Sequence, residues 1–299
     1  MATWKEIKRR IKSIKNTSKI TKAMELISTV KMKKAQDLAL EKKEYIKWIL
    51  EVLMNLNWSL SDSKYFKKNS NSSKTLWLII TSNKWLCWGY NVNVMKKVNE
   101  YMKSNWNNID FVTLGKRWSQ FITRTWNKIV ADFSGSFTDN IDLRFSKSVS
   151  RYILEKLTSW EYWNIVIFYN YYVNTIRQIS VSRDFLPLTD SSIENYFSII
   201  LWKEYKYTND DMILNYTIEP TIDELIEEVI PMLIDSMFYD ILIQSKASEH
   251  SSRMVAMKNA KDNANKYASK LTLQYNKARQ AAITKEVSEI VSWVESMKD

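Results

Sequence analysis

Acid–base, nucleophilic or metal chemistry needs the right side chains in groups, and this chain offers few. It has one histidine, His250 in SEHSSRM, and one cysteine, Cys87 in WLCWG. A thiol nucleophile needs a neighbouring base, and no histidine lies near Cys87 in sequence. A structural or catalytic metal site needs several His, Cys or carboxylate ligands at set spacings, and no His/Cys cluster is present. Paired acids such as Glu227–Glu228 read as the charges of a helix surface. Neither GxxxxGK[ST] nor GxGxxG occurs, so no standard phosphate cradle is expected. These residues predict no self-contained active site, no cofactor and no metal. His250 reads as an ordinary surface or helix-seam residue, and Cys87 as a structural or interface residue.

The elements that would position them divide by composition. The 299 residues are 45% hydrophobic and 26% charged, as in a globular protein, with no apolar run long enough to span a membrane. The N-terminus MATWKEIKRRIKSIK has charge without an apolar core, unlike a secretory signal, and a lone cysteine suits a cytosolic protein. The net charge is +11, concentrated early: eleven Lys or Arg in residues 1–34 face only Glu6 and Glu25. Such an arm suits an acidic partner, whether nucleic acid, an anionic membrane or an acidic protein surface.

Residues 3–58 lack Pro and Gly and are rich in helix formers. Ile7, Ile11 and Ile14, then Ile20, Met24, Ile27 and Val30, recur at helical steps and predict a long amphipathic helix that needs a partner. Residues 61–74 are polar and Ser/Asn-rich, a predicted loop. Apolar runs at 75–81, 109–114 and 164–170, with an alternating one at 177–185, predict strands; helices are expected at 91–104 and 140–158. From Asp223 the helical pattern returns, with Pro231 a possible early kink. Leu233, Met237, Ile241, Met254, Met257, Ala264, Leu271, Tyr275, Ala278, Ala282, Val287, Ile290 and Val294 mark its apolar-small face. The expected fold is therefore α/β plus long helices. The N- and C-terminal helices form an antiparallel two-helix coiled coil, with a central Rossmann-like α/β domain of mostly parallel sheet. The expected divisions are 1–60, 61–220 and 221–299.

Several stretches carry a family resemblance. KEIKRRIKSIKNTSKITKAMELISTVKMKKAQ near the N-terminus resembles the opening of the gamma subunit of F-type ATP synthases. ASEHSSRMVAMKNAKDNANKYASKLTLQYNKARQAAITKEVSEIVSWVESM resembles its C-terminal segment. TSNKWLCWGYN is similar to the family's TSD(R/K)GLCGGYN, and IFYNYYVNT to its YNKFVNT. The resemblance implies a non-catalytic central-stalk rotor subunit of an F1Fo ATP synthase. Its paired terminal helices would turn inside an alpha3-beta3 hexamer, while its α/β domain sits on a membrane ring of c subunits beside an epsilon subunit. It implies a peripheral position on the cytoplasmic face of the cell membrane, with membrane contact only through the ring. The basic first helix would answer an acidic lever segment of the beta subunits. The resemblance also implies partner contacts for Met24, Cys87, Arg253, Arg279, Gln280, Thr284 and Glu286. The redox-switch cysteine pair of chloroplast members is absent. The alternative is a coiled-coil scaffold or nucleic-acid-binding protein with a basic arm. Nucleic acid is not expected, because the basic residues alternate with an apolar stripe that must be packed.

One feature of composition is anomalous. Ordinary glycine usage would put roughly 21 glycines in a chain this long, yet there are 3, beside 13 tryptophans. Tryptophan stands where the family pattern has glycine: Trp85 and Trp88 in WLCWG, Trp118 in LGKRW and Trp293 in EIVSWVE. Trp160 in TSWEY falls where an SGEY-like turn is natural, and Trp77 is at a position commonly glycine in the family. UGA is one base from the glycine codon GGA, and genetic codes differ in reading it as tryptophan or glycine. The pattern predicts that most of these tryptophans stand for glycine.

Overall fold

A computed structural model describes residues 4–55, 64–67, 72–104, 108–124, 128–189, 192–193, 196 and 221–297. Much of the predicted 61–74 loop lies outside the described residues; residues 64–67 and 72–74 are neither helix nor strand. The elements in chain order are α1 (Trp4–Asn55), β1 (Thr75–Ile80), α2 (Trp88–Ser104), β2 (Ile109–Leu114), α3 (Lys116–Arg124) and β3 (Ile129–Asp132). They continue with α4 (Leu143–Thr158), β4 (Asn164–Tyr172), β5 (Gln178–Leu186) and α5 (Ile222–Ser296).

The five strands form one sheet in the order β3-β2-β1-β4-β5. β1 pairs in parallel with both β2 and β4, β2 pairs in parallel with β3, and only β5 runs antiparallel, along β4. This is the Rossmann-like, mostly parallel sheet expected. The run TLWLII is nearly all apolar, and in IDFVTL even Asp110 and Thr113 are buried, because the sheet is covered on both faces. Alternate residues point opposite ways. Leu76, Leu78, Ile80, Val112, Ile165 and Ile167 pack with Val149 and Ile153 of α4 and with Ile230, Leu233, Met237 and Ile241 of α5. Trp77, Ile79, Phe111, Val166 and Phe168 pack instead with Val94 and Val98 of α2 and with Trp118 and Ile122 of α3.

Local chemistry sets several boundaries. α4 starts at Leu143 rather than near 140 because the Asp142 carboxylate accepts a hydrogen bond from the Arg144 backbone N–H (3.2 Å), capping the first turn. α5 starts at Ile222 and runs on through Pro231, about two and a half turns in. The sequence reading did not anticipate α3 or β3. Both are short, and β3 is a four-residue edge strand whose side chains are at best half-buried.

The chain divides into two compact units, Met1–Thr29 with Arg253–Asp299, and Val30–Ser252. In the first, the helix segments are antiparallel. Trp4 stacks near Tyr275 (ring centroids 6.2 Å), the Ser18 hydroxyl donates to Asn265 Oδ1 (2.7 Å), and Lys261 Nζ bonds Glu25 (2.7 Å). Ile7, Ile11, Ile14, Ser18, Thr21, Glu25 and Ser28 of α1, all at least partly buried, follow alternating steps of four and three; Trp4 continues the row and Met24 is half-buried beside it. On α5, Met257, Lys261, Ala264, Ala268, Leu271, Tyr275, Ala278 and Ala282 follow the same steps, with Ala260 and Thr272 partly buried beside them. A 3.5-residue period is the signature of a coiled coil. The predicted stripe is right as far as Ile14 and then departs from the seam. Ile20 and Ile27 are 61% and 56% exposed, while Ser18, Thr21 and Ser28 are buried. Small seam residues let the backbones approach, and their hydroxyls bond helix carbonyls or the facing helix, as Thr21 does to the Thr17 and Ser18 oxygens.

In the second unit the early part of α5 is buried almost all round: Ser245, Lys246, Ala247, Ser248, Glu249, His250 and Ser251 are all covered. Ala35 of α1 packs with Tyr239, Ile243 and Ala247 of α5.

Gly115 is the one glycine whose conformation is dictated. It has φ of 120°, and a Cβ there would come 2.0 Å from the Thr81 carbonyl oxygen. Gly115→Ala is expected to destabilise the protein by about 3 kcal/mol or more, read as a lower urea midpoint with an unchanged slope. Gly135→Ala, where nothing lies within 4 Å, serves as the neutral comparison.

Candidate partner-contact surfaces

The first surface is the bend of residues 81–91, which carries the chain from β1 into α2. Backbone hydrogen bonds from Thr81 N to Leu114 O (2.7 Å) and from Arg117 N to Ser82 O (3.4 Å) tie it to the β2–α3 turn. Asn91 closes it from inside: its Oδ1 accepts from Ser82 N (3.0 Å) and its Nδ2 donates to Ser82 Oγ (2.8 Å). Asn83 donates to the carbonyls of Ser134 and Phe137 (2.9 and 2.6 Å) and accepts from Lys116 N (2.9 Å). On the α5 side, Tyr90 Oη and Ser245 Oγ lie 2.5 Å apart, and Asn170 of β4 donates to the Tyr90 carbonyl (2.8 Å). These bonds commit the side chains of Ser82, Asn83 and Asn91 within the bend.

Cys87 lies inside this bend and is buried, with its Sγ 3.7 Å from the Lys84 carbonyl. The outer surface belongs to its neighbours Trp85, Leu86 and Trp88, which are 65%, 49% and 73% exposed. The guanidinium of Arg117 stacks on the Trp85 ring at 3.3 Å. The left-handed residue of the bend is Leu86, with φ of 73°, and neither tryptophan beside it shares that conformation.

Asp139 joins the bend to α1. Its carboxylate accepts from Lys31 (2.6 Å) and Lys84 (2.7 Å). Burial alone would raise this carboxyl, but the two lysine hydrogen bonds, with Lys246 nearby, outweigh it and hold the group well below the ordinary 3.8. Lys246 and Glu249 form a buried ion pair (3.1 Å), and the Lys246 ammonium also sits 3.9 Å above the Phe137 ring. His250, next along, is buried and lines a small cavity with Lys31, Lys34, Asp139 and Lys246. This charged cluster was not foreseen; spacing on α5 alone gives no sign that Lys246 and Glu249 turn inward. Elsewhere in the unit, burial pushes the Asp240 carboxyl up to about 6, although Tyr196 donates a hydrogen bond to it (3.2 Å).

The second surface lies on the paired helices of the first unit. Met24 is half-buried beside the seam, and Arg253 is buried. Arg279, Gln280, Thr284 and Glu286 are exposed on α5. Thr284 returns its hydroxyl to the Gln280 carbonyl (3.0 Å), an internal helix contact. Beyond Ala282 every residue of α5 is exposed, including Ile283, Val287, Ile290, Val291, Trp293 and Val294. The structure thus brings Arg279, Gln280, Thr284 and Glu286 onto one exposed stretch. Cys87 belongs to the other unit. Among the described residues no group of three or more His, Cys, Asp or Glu could hold a metal, and no helix is long and apolar enough to cross a membrane.

Comparison with known proteins gives a consistent result. The family model of ATP synthase matches residues 3–297. The ATP synthase gamma chain of Nitrosomonas europaea is 35% identical over 296 residues, covering 97% of this chain and 98% of the relative. That of Akkermansia muciniphila is 32% identical, covering all of both chains. Among solved structures, a chain of the Euglena gracilis mitochondrial ATP synthase (OSCP/F1/c-ring, rotational state 3) superposes with a TM-score of 0.63 at 16% identity. The match covers 98% of this chain and 94% of that one. A chain of the Tetrahymena thermophila mitochondrial ATP synthase central stalk and c-ring gives 0.55 at 21%, covering 81% and 99%.

A carboxyl held below its unfolded value stabilises the fold above that value and loses the contribution as pH falls through the folded one. Asp139→Asn is therefore expected to cost about 1–2 kcal/mol at pH 7, most of it from the less exposed Lys31. In urea melts across pH, the deficit should shrink as pH drops below about 4, where the unfolded carboxyl takes up its proton.

Proposed function

This chain belongs to the ATP synthase gamma chain family, and from that premise we propose that it is the central-stalk rotor subunit of an F1Fo ATP synthase. It performs no bond-making itself. It couples ion flow through a membrane ring to the catalytic beta subunits by presenting a different face to each as it turns. The observation that carries this reading is the paired-helix unit. Its seam is regular, yet α5 continues past the end of its partner with apolar residues bare: Ile283, Val287, Ile290 and Val294 are exposed among the described residues. Exposed apolar surface of that kind calls for a partner, and a sleeve of alpha and beta subunits would supply one. The eleven basic residues in the first 34 suit an acidic surface on that sleeve.

Torque requires stiffness along the shaft and weak, switchable contacts across it. The continuous 75-residue α5 and the 52-residue α1 supply the first. Exposed charges supply the second, since their energy varies smoothly with distance in partly wet surroundings. Each contact that prefers one beta conformation shifts that site's equilibrium by its differential free energy. In this reading Arg279, Gln280, Thr284 and Glu286, with Met24 and Arg253, are the coupling contacts, and the region of Cys87 lies near the beta lever. Residues 61–220 form the body that rests on the c-subunit ring beside epsilon, at the cytoplasmic face of the membrane. The shaft divisions are 1–60 and 221–299.

Reconstitution with alpha and beta subunits tests the reading: the chain is expected to assemble with them and to turn a static hexamer into one with multi-site ATPase turnover. Failure to assemble, combined with salt-sensitive DNA or RNA binding, would favour a nucleic-acid role instead. In the assembled complex, the double substitution Arg279→Ala, Gln280→Ala should lower coupled turnover by about 5-fold or more. Because both side chains are exposed, the unfolding midpoint of the isolated chain should stay within about 0.5 kcal/mol of the parent.

A further inference from the structure

We infer that the tryptophans at positions 85, 88, 118, 160 and 293 are glycines in the protein as its own ribosomes make it, encoded by UGA read as glycine. Position 160 is the firmest. Ser159 caps α4, its N–H bonding the carbonyls of Glu155 and Leu157, and the next residue bonds back to Leu157 O (3.0 Å) with φ of 56°. That is the residue just past a helix C-cap in the left-handed conformation, the position where glycine is the usual occupant. A bulky side chain there is a genuine outlier.

The glycines that are present act as an internal control. Only Gly115 needs to be glycine. Gly135 has nothing within 4 Å of where a Cβ would go, and Gly89 has only the Ser252 hydroxyl at 4.0 Å. In this sequence, then, two of three glycines sit where other residues would fit, while a tryptophan sits where glycine belongs. Backbone need does not explain which positions read as glycine; a split between codons does.

The other positions agree in different ways. Trp118 is 1% exposed, and its buried indole N–H finds no acceptor, an expensive arrangement that glycine would remove. Trp85, Trp88 and Trp293 hold 65%, 73% and 71% of their surface in water, unusual for the side chain with most to gain from burial. Trp85 and Trp88 flank the left-handed Leu86, so glycine on either side would let a tight bend form without two rings crowding it. Trp77 has an unpartnered buried indole N–H as well, but it is outside the inference: Tyr101, Phe111 and Phe168 together pack on its ring at 5.0–5.8 Å, as around a true core aromatic, where Trp118 meets the Phe121 ring at 5.2 Å. On this inference any partner contact at the 81–91 bend is made without rings at positions 85 and 88.

Mass spectrometry of peptides from the protein purified from its source organism tests the inference. Each peptide spanning one of the five positions is expected to be lighter than the written sequence by the difference between a tryptophan and a glycine residue, with UGA at each codon. A tryptophan mass at any of the five, or UGG in the gene at any of them, overturns it.

Discussion

Two helices of 52 and 75 residues dominate this chain, and everything else depends on how they bury each other. A long helix in water draws little of its stability from propensity; it needs a face to pack. Here that face is a narrow seam with alternating steps of three and four. In the first unit the seam is built from isoleucine at one end and from serine, threonine and alanine further along. A seam of small residues brings backbones close and leaves little room for lateral play. It also forgoes much of the hydrophobic gain that leucine or isoleucine would bring. Specific polar links, Ser18 to Asn265 and Glu25 to Lys261, fix the register in its place.

In the larger unit the constraint is reversed. There α5 is wrapped by the sheet, by α4 and by α1, so even its charges must be satisfied inside. Lys246 answers Glu249 and lies on the Phe137 ring, and Asp139 collects Lys31 and Lys84. Buried charge is costly unless paired, so these contacts are sensitive to the placement of their elements and tie α1, the 81–91 bend and α5 to a single arrangement. That linkage suits a subunit proposed to transmit force, because loading one element displaces charges paired on another.

Much of the fold was legible in sequence. The runs at 109–114 and 164–170 are strands because their mostly apolar, β-favouring residues are buried on both faces. The Pro- and Gly-free stretches at each end are helices because nothing in them interrupts the ladder. The short α3 and β3 were not legible, since so few residues cannot show a period. Nor was the seam beyond Ile14: hydrophobicity singled out Ile20, Ile27 and Val30, which face outward, and passed over Ser18, Thr21 and Ser28, which face in. Periodicity finds the apolar face of a helix, and in this helix the apolar face and the packed face part company.

The sequence by itself determined the main element types, the antiparallel return of the chain on long helices, the scarcity of His and Cys, and the family. Those follow from composition, period and motif, which are local or linear properties. Only the tertiary structure decided the rest: Cys87 is buried while its neighbours are exposed, Lys246 and Glu249 form an interior pair, and Trp160 takes a left-handed backbone. Burial and backbone angle depend on which elements pack together, and residues distant in sequence set both.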